Sequence, residues 1–264
     1  MFRSSLSDRR LNGLRRGNDE GVPTRVAAVC GLVAPVTYIA ALLFGGLAQR
    51  DAFSNADDSI SDLGADTAGS PWLYDQVGTN LTGILIVVFA LGLWRALSPD
   101  FLGRLGAGIL LFLGITLFLE GFFPLDCQGI DAGCENVSWQ SEGHRWVSRF
   151  SATFFFLVPI VLAFAFRRNP RWRDTWRPTL AAVPLVIAAS FVFSVIGEGA
   201  ATRAGSVAWF LWLGFIALRL LQKSRERDVV GSSPTQTVSG NAFCRVKFPH
   251  PRVPRSDDSS ASGP

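Results

Sequence analysis

The residues able to do chemistry gather in short polar segments of an otherwise apolar chain. The first is Asp57-Asp58-Ser59-Ile60-Ser61-Asp62-Leu63-Gly64, inside an acidic, turn-rich stretch, 48–75. The second is Glu120-Gly121-Phe122-Phe123-Pro124-Leu125-Asp126; the third holds Glu142, His144 and Arg149, and Glu198 with Arg203 borders a fourth. Hydroxyl, carboxylate, imidazole and guanidinium groups in this mixture can hold a lipid headgroup, pair with a cation or move a proton. The Asp57-Asp58 pair reads as a solvated loop, because its spacing demands nothing more. Ser61, Asp62, Asp126, His144, Arg149 and Glu198 are expected to form one ligand-binding site. In it Asp62 and Asp126 counter cationic groups, while His144 and Arg149 contact an anionic headgroup. Glu120 and Arg149, near the ends of apolar runs, are expected to pair with each other or with loop groups, since an unpaired charge there is costly.

The histidine census limits metal chemistry. There are two, His144 and His250, so a three-histidine zinc site cannot form within one chain. A mixed site of His144 with Asp62 and Asp126 is chemically conceivable, since catalytic zinc accepts carboxylate oxygen, but Ser and Arg partners explain the same residues without a metal. No metal or other cofactor is therefore expected. Cys127 and Cys134, with six residues between them, are expected to form a disulfide that holds Asp126 near the membrane. Cys30 and Cys244 read as a packed small residue and a free thiol. No Walker loop, nucleophile elbow or dinucleotide fingerprint occurs. Gly103, Gly106 and Gly108 follow no strand and read as close helix packing.

The elements that must position these groups are apolar helices. The 264 residues are 48% hydrophobic and 17% charged, and mean hydropathy is +0.28, whereas soluble domains carry roughly 25% charge. Six runs have the roughly 17 to 25 residues that a helix needs to cross a bilayer; they lie near 26–47, 77–94, 104–123, 146–166, 180–196 and 206–221. The fold expected is an all-α bundle of six transmembrane helices spanning 25–222. The arm 1–24 and the tail 223–264 lack periodicity and are rich in Ser, Gly, Pro and Arg, so both are expected to be disordered.

Orientation follows from the basic residues. Of the 25 Lys and Arg, only Arg50, Arg145, Arg149 and Arg203 fall on the side of the polar segments. The rest fall on the side of the termini, which are therefore expected in the cytoplasm. The pI near 9.2 then reflects this bias and not nucleic-acid binding. Only Lys223 and Lys247 are lysine, an Arg preference expected of a GC-rich, bacterial coding sequence. Trp72, Tyr74, Trp139 and Trp146 flank one end of the runs, and Trp94, Trp172 and Trp176 the other, as interfacial aromatics do. The first run is too long for a signal-peptide core, so it is kept as a span. Pro35 and Pro159 occupy corresponding runs of the two halves. They hint at the broken helices of transporters, but the reading preferred is a kinked helix whose freed carbonyl is satisfied by a neighbour.

The Ser59-Ile60-Ser61-Asp62-Leu63-Gly64 run before the second span, the Gly121-Phe122-Phe123-Pro124-Leu125-Asp126 run closing the third, and a His before the fourth resemble the DUF998 family of six-span membrane proteins. The resemblance covers about residues 26–221 and implies the six-span fold without implying an activity. Membrane hydrolases of the alkaline ceramidase type combine Ser, Asp and three His, and this chain lacks two of those His. The leading expectation is a multi-pass protein of the plasma membrane that binds or handles a lipid or small polar ligand at its outer face. Alternatives are a small secondary transporter, a metal-assisted hydrolase using His144, and a structural partner. Membrane lipids and a second copy of the chain are the partners expected.

Overall fold

The computed structural model describes the backbone of residues 5–49 and 52–232 and the side chains of 24–49 and 52–226. The apolar runs become six helices: α1 (Ser5–Leu47), α2 (Leu73–Leu97), α3 (Phe101–Glu120), α4 (Trp139–Arg168), α5 (Trp176–Phe193) and α6 (Glu198–Ser232). Each contains a stretch long and apolar enough to cross a membrane, and no strand occurs among the described residues. The chain is a multi-pass membrane protein. With six spans, α1 enters and α6 leaves at one end of the bundle, here the tail end, and the segments 52–72 and 121–138 lie at the other, the loop end. Large apolar side chains such as Val36, Phe44, Leu185, Phe191 and Leu211 point outward, as suits a lipid-facing surface.

Local chemistry sets the helix ends. Asp100 caps α3, its carboxylate accepting from the Gly103 N–H at 2.8 Å. The Ser138 hydroxyl caps α4 by accepting from the Ser141 N–H at 3.1 Å, so α4 starts well before the apolar run expected from 146. α3 stops at Glu120, short of the expected 123, because Pro124 restricts the residue before it and cannot continue a helix. α1 begins at Ser5, within the arm expected to be disordered. There the backbone carries helix on from the span, as propagation is cheap once a long helix is nucleated. α6 likewise runs past 222 to Ser232; the rest of the expected tail lies outside the described residues.

α2 opens with a π-helical segment, Leu73–Leu81, before turning α-helical from Thr82. Its wider winding is held by side chains: the Thr82 hydroxyl donates to the Val77 carbonyl at 3.0 Å, and the Thr79 hydroxyl to the Asp75 carbonyl at 2.6 Å. π-Segments are uncommon and often lie at functional sites. α2 and α3 meet at a glycine pair, where a Cβ on Gly83 would fall 2.7 Å from the Gly114 carbonyl oxygen. Gly103, Gly106 and Gly108 also pack closely, against Leu97, Leu162 and Trp94.

α6 runs through the core. Phe210 stacks on Tyr38 of α1 with ring centres 4.0 Å apart, and Trp209 on Phe155 of α4 at 4.8 Å. Pro159 lacks the N–H that would bond the Phe155 carbonyl, and the Trp209 indole N–H supplies it instead, at 2.9 Å. The carbonyl freed by the proline is thus satisfied by a neighbouring helix.

Candidate functional site

Loop-end segments from separate parts of the chain zip into a cap over the bundle. The Gln128 amide donates to the Asp62 carbonyl at 3.0 Å and to the Gln49 side chain at 2.9 Å. The Asp66 N–H donates to the Leu125 carbonyl at 2.9 Å. The cap is tied to α6 by the Arg203 guanidinium, which donates to the Asp58 carbonyl at 2.8 Å, and by the Ala200 N–H, which donates to the Ala56 carbonyl at 2.7 Å. Gly197 and Gly199 permit this approach, because a Cβ at either would collide with carbonyls of Ala56 or Asp58.

Beneath the cap lies a cavity of about 310 Å³, of the size that encloses a small ligand or one headgroup. Ser59 and Ser61 line it from the cap. Its apolar wall includes Ile86, Leu117, Phe155 and Trp209, and its polar lining is almost entirely hydroxyl: Tyr38, Tyr74, Ser148, Ser151, Thr202 and Ser206. One carboxyl, Glu120, completes it, and among the described residues no Lys, Arg or His lines the cavity.

Glu120 is the last residue of α3 and is only 8% exposed. The Tyr74 hydroxyl, placed by the π-segment, donates to Glu120 Oε1 at 3.3 Å. His144 Nε2 faces the same oxygen at 3.8 Å. His144 is itself buried, and its Nδ1 donates to the Phe123 carbonyl at 2.8 Å, since a carbonyl can only accept. Across the cavity the Tyr38 hydroxyl bonds Ser206, and the Ser151 hydroxyl donates to Thr116 at 2.9 Å. Ser148 Oγ is buried without a hydrogen-bond partner, which leaves a donor and acceptor for an occupant.

The structure places Ser61 on the cavity wall with Glu120 and sets His144 against Glu120 from outside that wall, and it directs the other expected site residues elsewhere. Asp62 turns back to accept from the N–H groups of Gly129 and Ser59, a bond set that fastens the two loop segments. Burial pushes its carboxyl above the ordinary range, with the two N–H donors and Arg203 opposing and Asp58 adding to the rise. Asp126 Oδ2 accepts from the N–H groups of Val137 and Ser138 at 2.9 and 2.8 Å, which shapes the entry into α4. The Ser138 hydroxyl and N–H, the Val137 N–H and the Ser141 hydroxyl hold Asp126 below the usual carboxylate range. Arg149 is exposed and lies over the Trp146 ring, 5.4 Å from its centre, its stem free to carry the guanidinium toward water. Glu198 is exposed in the first turn of α6, where a carboxylate suits the helix dipole. The pairing of Glu120 with Arg149 is thus replaced by Tyr74 and His144.

With Asp62 and Asp126 committed to backbone N–H groups, the mixed zinc site is not assembled. Among the described residues no group of three or more His, Cys, Asp and Glu could hold a metal ion. Cys127 and Cys134 are bridged, with Cα atoms 6.2 Å apart, and the enclosed turn carries Gln128 toward Asp62.

The hydroxyl lining escaped the loop-based reading, though its signal is helical spacing. His144, Ser148, Ser151 and Phe155 recur on one face of α4, as do Thr202, Ser206 and Trp209 on α6, at the three- and four-residue steps that align side chains. Tyr38 reads as a polar group in mid-span and Tyr74 as an interfacial aromatic, but nothing in a single sequence says which side of a span faces inward.

No curated protein and no solved structure matches the chain. Residues 32–219 match the profile of one family, described as a protein of unknown function, DUF998; the match spans most of the chain, and the chain belongs to the DUF998 family.

Proposed function

We propose that this protein binds an ammonium group carried on an apolar stem, with Glu120 as its counter-ion in the cavity beneath the loop-end cap. The observation that carries the reading is a single buried carboxyl in a hydroxyl-lined cavity with no cation on its wall. A buried carboxylate needs a positive partner. The aromatic rings of Tyr38, Tyr74, Phe155 and Trp209 line the same space, a setting that tolerates a cation, and the hydroxyls accept N–H bonds from it. The apolar wall suits the stem. The 21-to-4 excess of basic residues at the tail end, obtained by setting Arg50, Arg145, Arg149 and Arg203 against the total of 25, supports a cytoplasmic tail end. The cavity then opens its chemistry to the outer leaflet of the plasma membrane, where lipid headgroups and free amines both occur.

Two probes separate those sources. Binding of butylammonium to detergent-solubilised protein, and binding of an aminophospholipid in nanodiscs of otherwise zwitterionic choline lipid, should be measured for wild type and Glu120→Gln. Retention of either probe by wild type, with affinity reduced roughly 10- to 150-fold in Glu120→Gln, is expected from the loss of a hydrogen bond to a charged group worth about 1.5–3 kcal/mol. Lipid binding without butylammonium binding would assign a headgroup site, and the converse a soluble amine. Equal binding by wild type and variant would refute the role of Glu120.

A further inference from the structure

We propose that the facing Glu120 and His144 side chains make occupancy of the cavity a one-for-one exchange of a proton for a monocation. The inference rests on the ammonium-binding reading above and adds what leaves when the cation arrives. Its basis is the direction of one hydrogen bond. His144 Nδ1 lies 2.8 Å from the Phe123 carbonyl oxygen, which has no hydrogen to give, so Nδ1 keeps its own hydrogen in every state. The proton that His144 can gain or lose is therefore on Nε2.

Nε2 is buried, has no hydrogen-bond partner within the protein, and faces Glu120 Oε1 at 3.8 Å. Two lone-pair sites thus confront each other with space for one proton between them. With that proton the pair is neutral overall, whether written as carboxylic acid beside imidazole or carboxylate beside imidazolium. Without it a carboxylate stands in a buried site opposite a nitrogen lone pair, an arrangement that needs positive charge from elsewhere.

Among the described residues, neighbouring elements supply no fixed cation that acts on Glu120 itself. From α2 the Tyr74 hydroxyl donates to Glu120, and the nearby Asp75 carboxyl is a second acid that cannot become positive. From α1 comes the neutral Tyr38 hydroxyl. On α6 the Arg203 guanidinium donates to the Asp58 carbonyl, and its charge acts on the Tyr38 and Tyr74 hydroxyls and on the Asp58 and Asp62 carboxylates of the cap, not on Glu120. Arg149 of α4 is outside, over Trp146. Among the described residues, His144 is the one group acting on Glu120 that can become positive. A bound monocation takes over that role, and the shared proton passes to solvent. Charge balances: the neutral pair plus the cation gives carboxylate, cation and neutral imidazole, with one proton released.

The test is calorimetric titration of butylammonium chloride into the detergent-solubilised full chain near neutral pH, repeated in phosphate and Tris buffers, whose ionisation enthalpies differ widely. The difference in observed enthalpy counts protons released. About one proton per bound butylammonium is expected for wild type, and none for butanol, the uncharged probe. In His144→Gln the carboxyl stands alone with an amide, and the pH at which half a proton is released should move downward. Butylammonium binding with equal enthalpies in the two buffers would overturn the exchange while leaving the ammonium site intact. Absence of butylammonium binding in both buffers would overturn the site and the exchange together.

Discussion

Pro159 and the Trp209 indole that answers its missing N–H make a sharp double-mutant prediction. The Phe155 carbonyl has no intrahelical donor because residue 159 is proline, and the Trp209 N–H bonds it at 2.9 Å. Trp209→Phe keeps an aromatic ring against Phe155 but removes that donor. In membrane bundles a hydrogen bond between helices is worth about 0.6–1.7 kcal/mol, and an abandoned buried carbonyl costs about 1–3 kcal/mol, with a further loss from the smaller ring. In a Pro159→Ala background the backbone at position 159 regains an N–H that can reach the Phe155 carbonyl, so that oxygen is no longer abandoned and only the ring loss remains. The two substitutions should therefore be non-additive by about 1 kcal/mol, above the roughly 0.5 kcal/mol scatter of independent sites. Unfolding by sodium dodecyl sulfate in mixed micelles measures all four corners of the cycle. Additivity within that scatter would refute the claim that the indole answers the proline.

The remaining predictions concern packing, the cap and pH. Gly83→Ala should destabilise by roughly 1–3 kcal/mol, because its Cβ would meet the Phe118 N at 2.5 Å and the Gly114 carbonyl at 2.7 Å. Gly45→Ala, whose Cβ finds only Leu63 at 3.8 Å, should be neutral or gain up to about 1 kcal/mol; thermal unfolding in detergent compares them. Asp126, held low by its hydrogen bonds, contributes stability that is present above the ordinary carboxylate value of about 3.9 and lost as pH falls through its lower folded value. Asp126→Asn should flatten that acid-side loss. Asp62, raised by burial, binds a proton more tightly when folded, so its contribution improves as pH falls from its raised value toward about 3.9. Asp62→Asn should remove that gain, in a higher pH window than the Asp126 effect. Opening the Cys127–Cys134 bridge by Cys127→Ser/Cys134→Ser should cost roughly 2–3 kcal/mol by loop-closure entropy. In cells, alkylation before reduction should leave both thiols unlabelled if the loop end faces an oxidising compartment.

Legibility followed the physics of each feature. The six spans could be read directly, because a bilayer imposes length and continuous apolarity, as in the uncharged run Val26 to Leu47. Their ends were harder: α4 reaches back to Trp139 because a Ser138 cap outweighs the polar composition of its first turns. Ser61 lines the cavity beside Glu120, and His144 faces that same Glu120. Asp62 and Asp126 looked functional because sequence displays their charge and hides their partners, which are backbone N–H groups brought close only by folding. Glu120 could be seen as a costly charge at a span end, but its partners Tyr74 and His144 come from a π-segment and a different helix, and no local pattern encodes that convergence.

Whether Glu120, rather than the more conspicuous loop acids, holds the ligand is tested most directly by native mass spectrometry of protein extracted gently from membranes, with Glu120→Gln and Asp62→Asn beside wild type. A co-purifying amine-bearing mass is expected on wild type and Asp62→Asn, and is expected to be absent from a folded Glu120→Gln. The same mass retained on Glu120→Gln and lost from Asp62→Asn would contradict the assignment.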